Sequence, residues 1–275
     1  MNSLEVSGLT VMFGRRRTVA VDDLSFTLGE QERLGIIGAS GSGKSVTALA
    51  MIGLLPETAH VTGSIRLNGR ELVGAPEKEL RKLRGNDVSM IFQEPMTALD
   101  PTMRVGRQIG EAVALHHRDR RGHIHGEVLD WLARVGMADP DRVARSYPDE
   151  LSGGQRQRAL VAMALANEPP LVICDEPTTA LDVIVQRQIL DLLDEQLRGR
   201  ASLFVSHDLA VVRQVCDRVL VMLQGRVVES GNIDTIIEDP QHPYTRSLVA
   251  AARIGDHTPG ARLPSGDTSP ETGPS

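Results

Sequence analysis

The sequence of 275 residues contains only two cysteines, Cys174 and Cys216, and they share no short metal-binding or redox spacing. Two isolated thiols fit a reducing compartment. No stretch approaches the roughly 18 consecutive apolar residues that a membrane-spanning helix needs. The opening residues MNSLEVSGLT lack the charged and then apolar pattern of a secretion signal. We therefore expect a soluble, cytoplasmic protein.

Long basic segments are also missing from the sequence. The net charge is -6, and the densest basic cluster is RRR at 15–17, which we interpret as a solvated loop. Proteins that bind nucleic acid normally carry a basic patch or stripe, so the charge argues against a nucleic-acid partner. Hydrophobic residues make up 41% of the chain, which is enough for a sizeable core. The length fits one large domain or two small ones.

Strand-like and helix-like segments alternate along much of the chain. The β-rich segments are LEVSGLTVMF, AVDDLSFTL, ERLGIIG, GSIRLNG, VSMIFQ, LVICDEP, ASLFVSH and RVLVML. The helical segments among them are SVTALAMIGLL at 45–55, which stops before Pro56, VIVQRQILDLLDEQL and DLAVVRQVC. This alternation predicts a parallel βαβ architecture, preceded by a small antiparallel β portion at the N-terminus.

Strand signals disappear between about Glu94 and Leu151, where VGRQIGEAVALHH and HGEVLDWLARVGM have the pattern of amphipathic helices. We interpret this stretch as an inserted helical subdomain. The tail is rich in Pro, Gly, Ser and Thr, and is predicted to be disordered. The expected organisation is a core of residues 1–95 and 155–235, a helical subdomain of 95–155, a C-terminal helical segment of 235–257 and a tail of 258–275.

GASGSGKS at 38–45 matches the phosphate-loop pattern G-x-x-x-x-G-K-[ST] between a predicted strand and a predicted helix. Its glycines let backbone N–H groups close around phosphates, and the positive end of the following helix adds to the attraction. Lys44 would reach the β- and γ-phosphates, and the Ser45 hydroxyl would contact Mg²⁺. The predicted cradle also contains Gly38, Ala39, Ser40, Gly41, Ser42 and Gly43.

LVICDEP places Asp175 and Glu176 at the carboxyl end of a strand that looks buried on both faces. Ligands of open α/β sheets bind at this edge. Asp175 can hold Mg²⁺ through water, and Glu176 can polarise an attacking water molecule. Gln93 and His207 also follow predicted strands, but each is ambiguous when taken alone.

LSGGQ at 151–155 contains the capping-box spacing of Ser152 and Gln155 at a helix start. That spacing leaves Gly153 and Gly154 unexplained, since each glycine in a helix costs roughly 1 kcal/mol relative to alanine. Two glycines in a first turn suggest a close approach of another group, and a helix N-terminus favours an anion. Because this chain's own phosphate loop lies elsewhere, we infer that the anion belongs to another chain.

Taken together, GASGSGKS, Gln93, LSGGQ, LVICDEP, ALD at 180–182 and His207 resemble the ATP-binding cassette (ABC) ATPases, over residues 1 to about 235. The resemblance implies a P-loop NTPase (RecA-like) α/β fold that binds ATP and Mg²⁺. It implies that Phe13 stacks on adenine and that Gln93 contacts Mg²⁺ and couples to membrane subunits. It also implies that Ser152–Gln155 cover the partner's ATP, that Asp182 bridges the two subunits, and that His207 holds the γ-phosphate and the attacking water.

A narrower resemblance links three stretches, at 91–109, 175–193 and 242–251, to ATPases of dipeptide, oligopeptide and nickel importers. It implies an ATPase on the cytoplasmic face of the inner membrane, as a peripheral protein. Its partners would be a second ATPase subunit, two permease subunits and, indirectly, a solute-binding protein. Longer members of this group carry a cysteine-bound iron–sulfur cluster; no cysteine follows Cys216, so we expect none here.

Alternative functions remain at this stage. Nickel or a metal chelate is the second candidate solute, and His116, His117, His123 and His125 lie close together in a polar stretch that we interpret as a solvated connection. An ABC protein acting on nucleic acid is the candidate of another class. It is disfavoured because the chain has a single cassette, no very long coiled-coil insertion and no zinc-binding cysteines. A P-loop kinase or GTPase would leave LSGGQ and His207 unexplained.

Overall fold

The computed structural model describes residues 2–93, 98–117, 122–179 and 181–255. Glu94, Ala180 and the tail predicted to be disordered, 258–275, lie outside these ranges. The strands are β1 (Asn2–Phe13), β2 (Thr18–Gly29), β3 (Arg33–Ile37), β4 (Ala59–Leu67), β5 (Arg70–Glu71), β6 (Val88–Ile91), β7 (Leu171–Asp175), β8 (Ala201–Ser206), β9 (Arg218–Leu223) and β10 (Arg226–Asn232).

The helices in the same described ranges are α1 (Lys44–Met51), α2 (Glu77–Leu83), α3 (Val105–His116), α4 (Ile124–Arg134), α5 (Pro140–Arg145), α6 (Gly153–Leu165), α7 (Val183–Gln196), α8 (Leu209–Val215), α9 (Ile233–Glu238) and α10 (Pro243–Gly255). None of the helices in this described part is long and apolar enough to span a bilayer.

The strands of the described residues form two sheets. One is antiparallel, in the order β2-β1-β4-β5, and the other has the order β10-β9-β3-β8-β7-β6. Within the second sheet all neighbours are parallel except β10, which pairs antiparallel with β9 at the edge. The α/β fold with a mostly parallel sheet and an N-terminal antiparallel portion is confirmed.

The parallel sheet lies between two hydrophobic cores because alternate residues of a strand point to opposite faces. On β7, Val172 and Cys174 belong to the core shared with the helices, whereas Leu171 and Ile173 belong to the core shared with the antiparallel sheet. The helical core includes Trp131 of α4, so α4 packs onto the body of the molecule. Helices α3 to α5 fall within 95–155, the segment for which we propose a helical subdomain.

Helix α1 ends at Met51 and is therefore shorter than the predicted 45–55. It ends there because Gly53 adopts a left-handed backbone with φ 64° and donates its N–H to the carbonyl of Ala50. A left-handed glycine of this kind stops a helix. Four further elements of the described residues, β5, α2, α5 and the edge strand β10, carry weaker sequence patterns and were not predicted.

The carboxyl ends of the parallel strands collect the residues of interest at one edge of the sheet. The phosphate loop follows β3, and Gln93 lies just after β6. Glu176 directly follows β7, and His207 directly follows β8. This edge is where ligands bind in open α/β sheets.

Candidate active site

The phosphate loop at 38–45 is packed against backbone on two sides. Gly43 has φ 103°, and a Cβ at this position would collide with the carbonyl oxygen of Ala20 on β2. A Cβ at Gly38 would collide with the carbonyl oxygen of Met222 on β9. These two glycines therefore allow the loop to lie directly on neighbouring strands, which holds its backbone in one place.

Lys44 is the first residue of α1, and its side chain curls back over the loop. It is 5% exposed, and its Nζ donates hydrogen bonds to the carbonyl oxygens of Gly38 at 2.8 Å and Ala39 at 3.0 Å. Burial lowers the pKa of the Lys44 ammonium, while the charges of Glu176 and Asp175 oppose that shift. The ammonium is thus held at the loop, where phosphate oxygens would replace the carbonyls as its partners.

Ser45 and Asp175 bring two oxygens together beside the loop. The Ser45 hydroxyl donates to Asp175 Oδ1 at 3.0 Å. Asp175 is 6% exposed, and burial raises the pKa of its carboxyl; Glu176 raises it further, whereas Ser45 and Lys44 oppose the shift. A buried carboxylate of this kind gains from a cation.

Hydroxyl and carboxylate oxygens are ligands that suit Mg²⁺, which usually takes one or two carboxylates and completes its shell with phosphates and water. Within the described ranges there is no group of three or more His, Cys, Asp or Glu placed to hold a metal ion by itself. The donor set at Ser45 and Asp175 therefore fits a Mg²⁺ ion that arrives with a nucleotide.

Glu176 lies in a tight turn that aims its carboxylate at the same site. Its backbone has φ 47°, which is uncommon for a residue with a side chain, and its N–H donates to the carbonyl of Val205 at 2.9 Å. Strained backbone of this kind concentrates at functional sites. The turn redirects the chain immediately after β7, so the carboxylate stays at the sheet edge.

Three side chains converge on Glu176 Oε2. The donors are Thr179 Oγ1 at 2.8 Å, Gln93 Nε2 at 3.1 Å and His207 Nδ1 at 3.2 Å. The hydrogen bond from His207 is the main cause that lowers the pKa of Glu176, and the same bond raises the pKa of His207. Glu176 is therefore held as a carboxylate in a fixed position, which suits a group that must orient and polarise a water molecule.

Thr179 was missed by the sequence reasoning. Its hydroxyl contact with Glu176 depends on a turn in which the Thr179 N–H also donates to the carbonyl of Glu176 at 3.2 Å. A threonine three residues after the carboxylate, behind a proline, was the available signal, but the sequence alone did not indicate its direction.

Phe13 and Asp182 lie further from this centre. Phe13 is half-buried at the end of β1 and packs against the core of the antiparallel sheet. Asp182 is exposed and caps α7, since its Oδ1 accepts from the N–H groups of Ile184 at 3.1 Å and Val185 at 3.0 Å. The roles that the resemblance implies for these two residues stay predictions.

The LSGGQ stretch forms the predicted capping box at the start of α6. The Gln155 N–H donates to Ser152 Oγ at 3.3 Å, and the Ser152 N–H donates to Gln155 Oε1 at 3.0 Å. Ser152 and Gly153 are exposed, and a Cβ at Gly153 would meet only Leu181, at 4.0 Å. The space above Gly153 is therefore open to an approaching group.

Gly154 has a different explanation from the one expected. A Cβ at this position would lie 2.8 Å from Cγ1 of Val185, so the absence of a side chain lets α6 approach α7. Contact between the two helices thus accounts for Gly154, and room for an outside group has to be invoked only for Gly153.

Gly154→Ala should destabilise the fold by about 1 to 3 kcal/mol through overpacking, even though alanine is the better helix former. Val185 is β-branched and has little rotamer freedom to move aside. Thermal denaturation of the single and double variants would measure this. In a Val185→Ala background the cost of Gly154→Ala should vanish; an equal cost in both backgrounds would contradict the packing explanation.

Comparison with known proteins agrees with this geometry. The family model described as ABC transporter matches residues 21–179, more than half of the chain. The chain belongs to the ABC transporter family. The family predicted from the motifs is confirmed.

Among curated ABC relatives, the peptidoglycan transport ATP-binding protein YejF of Agrobacterium fabrum is 49% identical over 92% of this chain and 47% of its own length. The oligopeptide transport ATP-binding protein OppD of Escherichia coli is 47% identical over 90% of this chain and 75% of its own length. This chain thus spans about half of the first relative and three quarters of the second. The name of the second relative agrees with the oligopeptide-transport group that the sequence resembles.

Solved structures of ABC cassettes share the fold. A dimeric post-hydrolysis state of the cassette MJ0796, bound to ADP and Pi, has a TM-score of 0.74 at 26% identity, covering 84% of this chain and 98% of that one. The cbiO1 protein of Clostridium perfringens, part of the transporter complex cbiONQ, has a TM-score of 0.73 at 26% identity, covering 93% of this chain and 98% of its own.

Proposed function

We propose that this ABC protein is the ATP-hydrolysing subunit of a peptide importer and works with separate permease subunits. The observation that carries the ATPase activity is the convergence of Gln93, Thr179 and His207 on the carboxylate of Glu176, next to a phosphate loop. The name of the relative OppD, an oligopeptide transport ATP-binding protein, supports the choice of solute. The protein acts at the cytoplasmic face of the membrane as a peripheral subunit.

ATP binds first through its phosphates. Backbone N–H groups of the phosphate loop and of the start of α1 would bind the anion, and the Lys44 ammonium exchanges the carbonyls of Gly38 and Ala39 for β- and γ-phosphate oxygens. Ser45, Asp175 and Gln93 would hold Mg²⁺, which neutralises charge on the phosphate oxygens when it is bound. Phe13 stacks on the adenine.

Hydrolysis needs a water molecule placed in line with the bond between the γ-phosphorus and the bridging oxygen. Glu176 accepts a hydrogen bond from this water and takes its proton as the oxygen attacks the γ-phosphorus. The bond to the bridging oxygen breaks, and ADP and inorganic phosphate are formed. His207 contacts the γ-phosphate and keeps Glu176 oriented, so this site works mainly by positioning and electrostatics.

A second ATPase subunit completes each site. Ser152, Gly153, Gly154 and Gln155 belong to the signature that faces the partner's γ-phosphate, and the open space above Gly153 suits that approach. Asp182 directly follows Leu181, whose side chain is the nearest to a Cβ at Gly153. The next two side chains, Val183 and Ile184, are 82% and 72% exposed, and such an apolar pair gains from burial against a partner.

Nickel remains the second candidate solute. His116 lies at the end of α3, and His123 and His125 lie at the start of α4. These histidines belong to no metal-binding group among the residues that the structure describes. A transport ATPase also need not touch its cargo, so the histidines do not favour nickel over a peptide.

Deleting the gene should abolish uptake of a labelled tripeptide and leave nickel uptake unchanged. A plasmid copy of the wild-type chain should restore the uptake, and a copy carrying Glu176→Gln should not, because import would require ATP hydrolysis. Uptake of the labelled peptide and of nickel would be measured in parallel. Normal peptide uptake in the deletion strain would refute the proposal that the solute is a peptide. Loss of nickel uptake alone would favour nickel as the solute.

A further inference from the structure

The phosphate loop has a partner far away in the sequence. The backbone N–H of Ala39 donates a hydrogen bond to the phenol oxygen of Tyr244, on α10, at 2.7 Å. Ala39 is the residue whose carbonyl accepts from Lys44 Nζ at 3.0 Å. The backbone of Ala39 therefore contacts both Tyr244, through its N–H, and Lys44, through its carbonyl oxygen. Lys44 is the lysine that is placed to bind phosphates.

Tyr244 is packed in the interior of the protein. It is 9% exposed and belongs to the helical hydrophobic core. Burial raises the pKa of its phenol, so the group stays neutral. An aromatic ring has only two side-chain torsions, and a packed ring places its oxygen accurately.

The N-terminus of α10 is fixed by a carboxylate from the edge strand β10. Glu229 Oε1 accepts from the N–H of Gln241 at 2.8 Å, and Oε2 accepts from the N–H of His242 at 2.9 Å. The N–H of Tyr244 in turn donates to Nδ1 of His242 at 3.2 Å. Glu229 thereby sets the position from which Tyr244 reaches the loop.

The same C-terminal part of the chain contacts the loop a second time. In the turn between β9 and β10, the N–H of Gly225 donates to the carbonyl of Ser42 at 3.0 Å. Residues 218–255 thus hold the phosphate loop near its beginning, at Ala39, and near its middle, at Ser42. This C-terminal part otherwise lies outside the ATPase chemistry described above.

We propose that Tyr244 is a positioning residue for the phosphate loop: its hydrogen bond to Ala39 keeps the loop in the form that accepts nucleotide phosphates and makes nucleotide affinity depend on the C-terminal segment. The inference rests on the proposed binding of ATP to this loop. Tyr244 touches no reacting atom, so it acts on binding and leaves the hydrolytic step to Glu176 and His207. Fixing a loop in its bound form raises affinity because less ordering has to occur on binding.

Tyr244→Phe keeps the ring and removes only the oxygen. The Ala39 N–H then loses its partner, and the loop can relax away from its binding form. We expect the Kd for MgADP, measured by titration calorimetry on the full chain, to rise about tenfold, which corresponds to about 1.4 kcal/mol. In steady-state assays the KM for ATP should rise in parallel while kcat stays close to that of the wild type.

Tyr147→Phe is the matched control, because it removes the phenol oxygen of the chain's other tyrosine, which lies beside Arg104 in the helical segment. This control should bind MgADP with the wild-type Kd. A purely structural role for Tyr244 would lower the melting temperature without nucleotide and leave the Kd unchanged, and that result would overturn the proposal. Absence of nucleotide binding in the wild type would instead refute the proposed ATPase function.

Glu229→Gln gives a second and independent test. It removes the charge that fixes the start of α10 and leaves Tyr244 intact, so the Kd for MgADP should rise by less than in Tyr244→Phe. Because Glu229 would act through Tyr244, the double variant should bind no more weakly than Tyr244→Phe alone. Additive effects of the two substitutions on the Kd would contradict the proposal that Glu229 acts through Tyr244. If Tyr244→Phe did not fold, an unchanged Kd in Glu229→Gln would overturn the proposal.

Discussion

Replacing Glu176 with glutamine should abolish ATP turnover while ATP binding survives. The amide keeps the size of the side chain, and its oxygen can still accept from Gln93 and Thr179. It cannot take a proton from water, and removal of such a base lowers the rate by about 10² to 10⁴. We therefore expect a variant that binds MgATP with near wild-type affinity and accumulates as an ATP-bound dimer.

Phosphate release and equilibrium binding of MgATP would be measured on the same preparation, with size-exclusion chromatography to detect the dimer. Glu195→Gln is a suitable control, because it makes the same chemical change at an exposed position of α7. The control should hydrolyse ATP normally. Near wild-type turnover in Glu176→Gln would show that Glu176 is not the general base.

Gly153→Asp should inactivate the partner's phosphate loop and spare its own. The new carboxylate would meet the γ-phosphate of the facing subunit, and like charges repel strongly at short range in a partly desolvated site. The monomer should tolerate the change, since the nearest neighbour of a Cβ there is Leu181 at 4.0 Å and an acidic side chain is favourable in a first helical turn.

Mixed dimers of this chain separate action in trans from action in cis. If one copy carries Gly153→Asp and the other Lys44→Ala, the trans arrangement keeps one complete site and the mixed dimer hydrolyses ATP. If both changes lie on one copy and the other is wild type, the trans arrangement leaves no complete site. Action in cis predicts the reverse result in both pairings.

Gly126→Asp is the matched control for the charge. Gly126 is exposed in the first turn of α4, and a Cβ there would meet nothing within 4 Å. Dimers that carry this change should keep full activity. An equal loss of activity in Gly126→Asp would show that added negative charge, rather than its place in the signature, causes the defect.

The parts of the site that the sequence predicted are those fixed by local geometry. Parallel strands bring their carboxyl ends to one edge, so residues that follow such strands lie along that edge. This rule placed Lys44, Asp175 and Glu176 at the edge in advance. Gln93 and His207 also follow strands, but only the resemblance to the ABC ATPases assigned them to the site. The Ser152–Gln155 capping box was equally predictable, because it needs only a spacing of three residues.

The parts that the sequence did not predict depend on contacts between distant elements. Val185 explains Gly154, but the two residues belong to different helices. Tyr244 reaches Ala39 across 205 positions of the chain, and no local pattern in HPYTRS points to the phosphate loop. Edge strand β10 was missed for a related reason: it is only partly buried, so its sequence lacks a continuous apolar run.

The two cores described above share one sheet, and this has a consequence for how the molecule unfolds. Neighbouring residues of β7, such as Val172 and Ile173, pack into opposite cores. Unfolding of either core would therefore expose the apolar side chains on one face of the parallel sheet. We therefore expect the antiparallel sheet, the parallel sheet and the packed helices to unfold as a single cooperative unit, in one transition. A nucleotide that binds only the folded loop then raises the melting temperature of the whole unit.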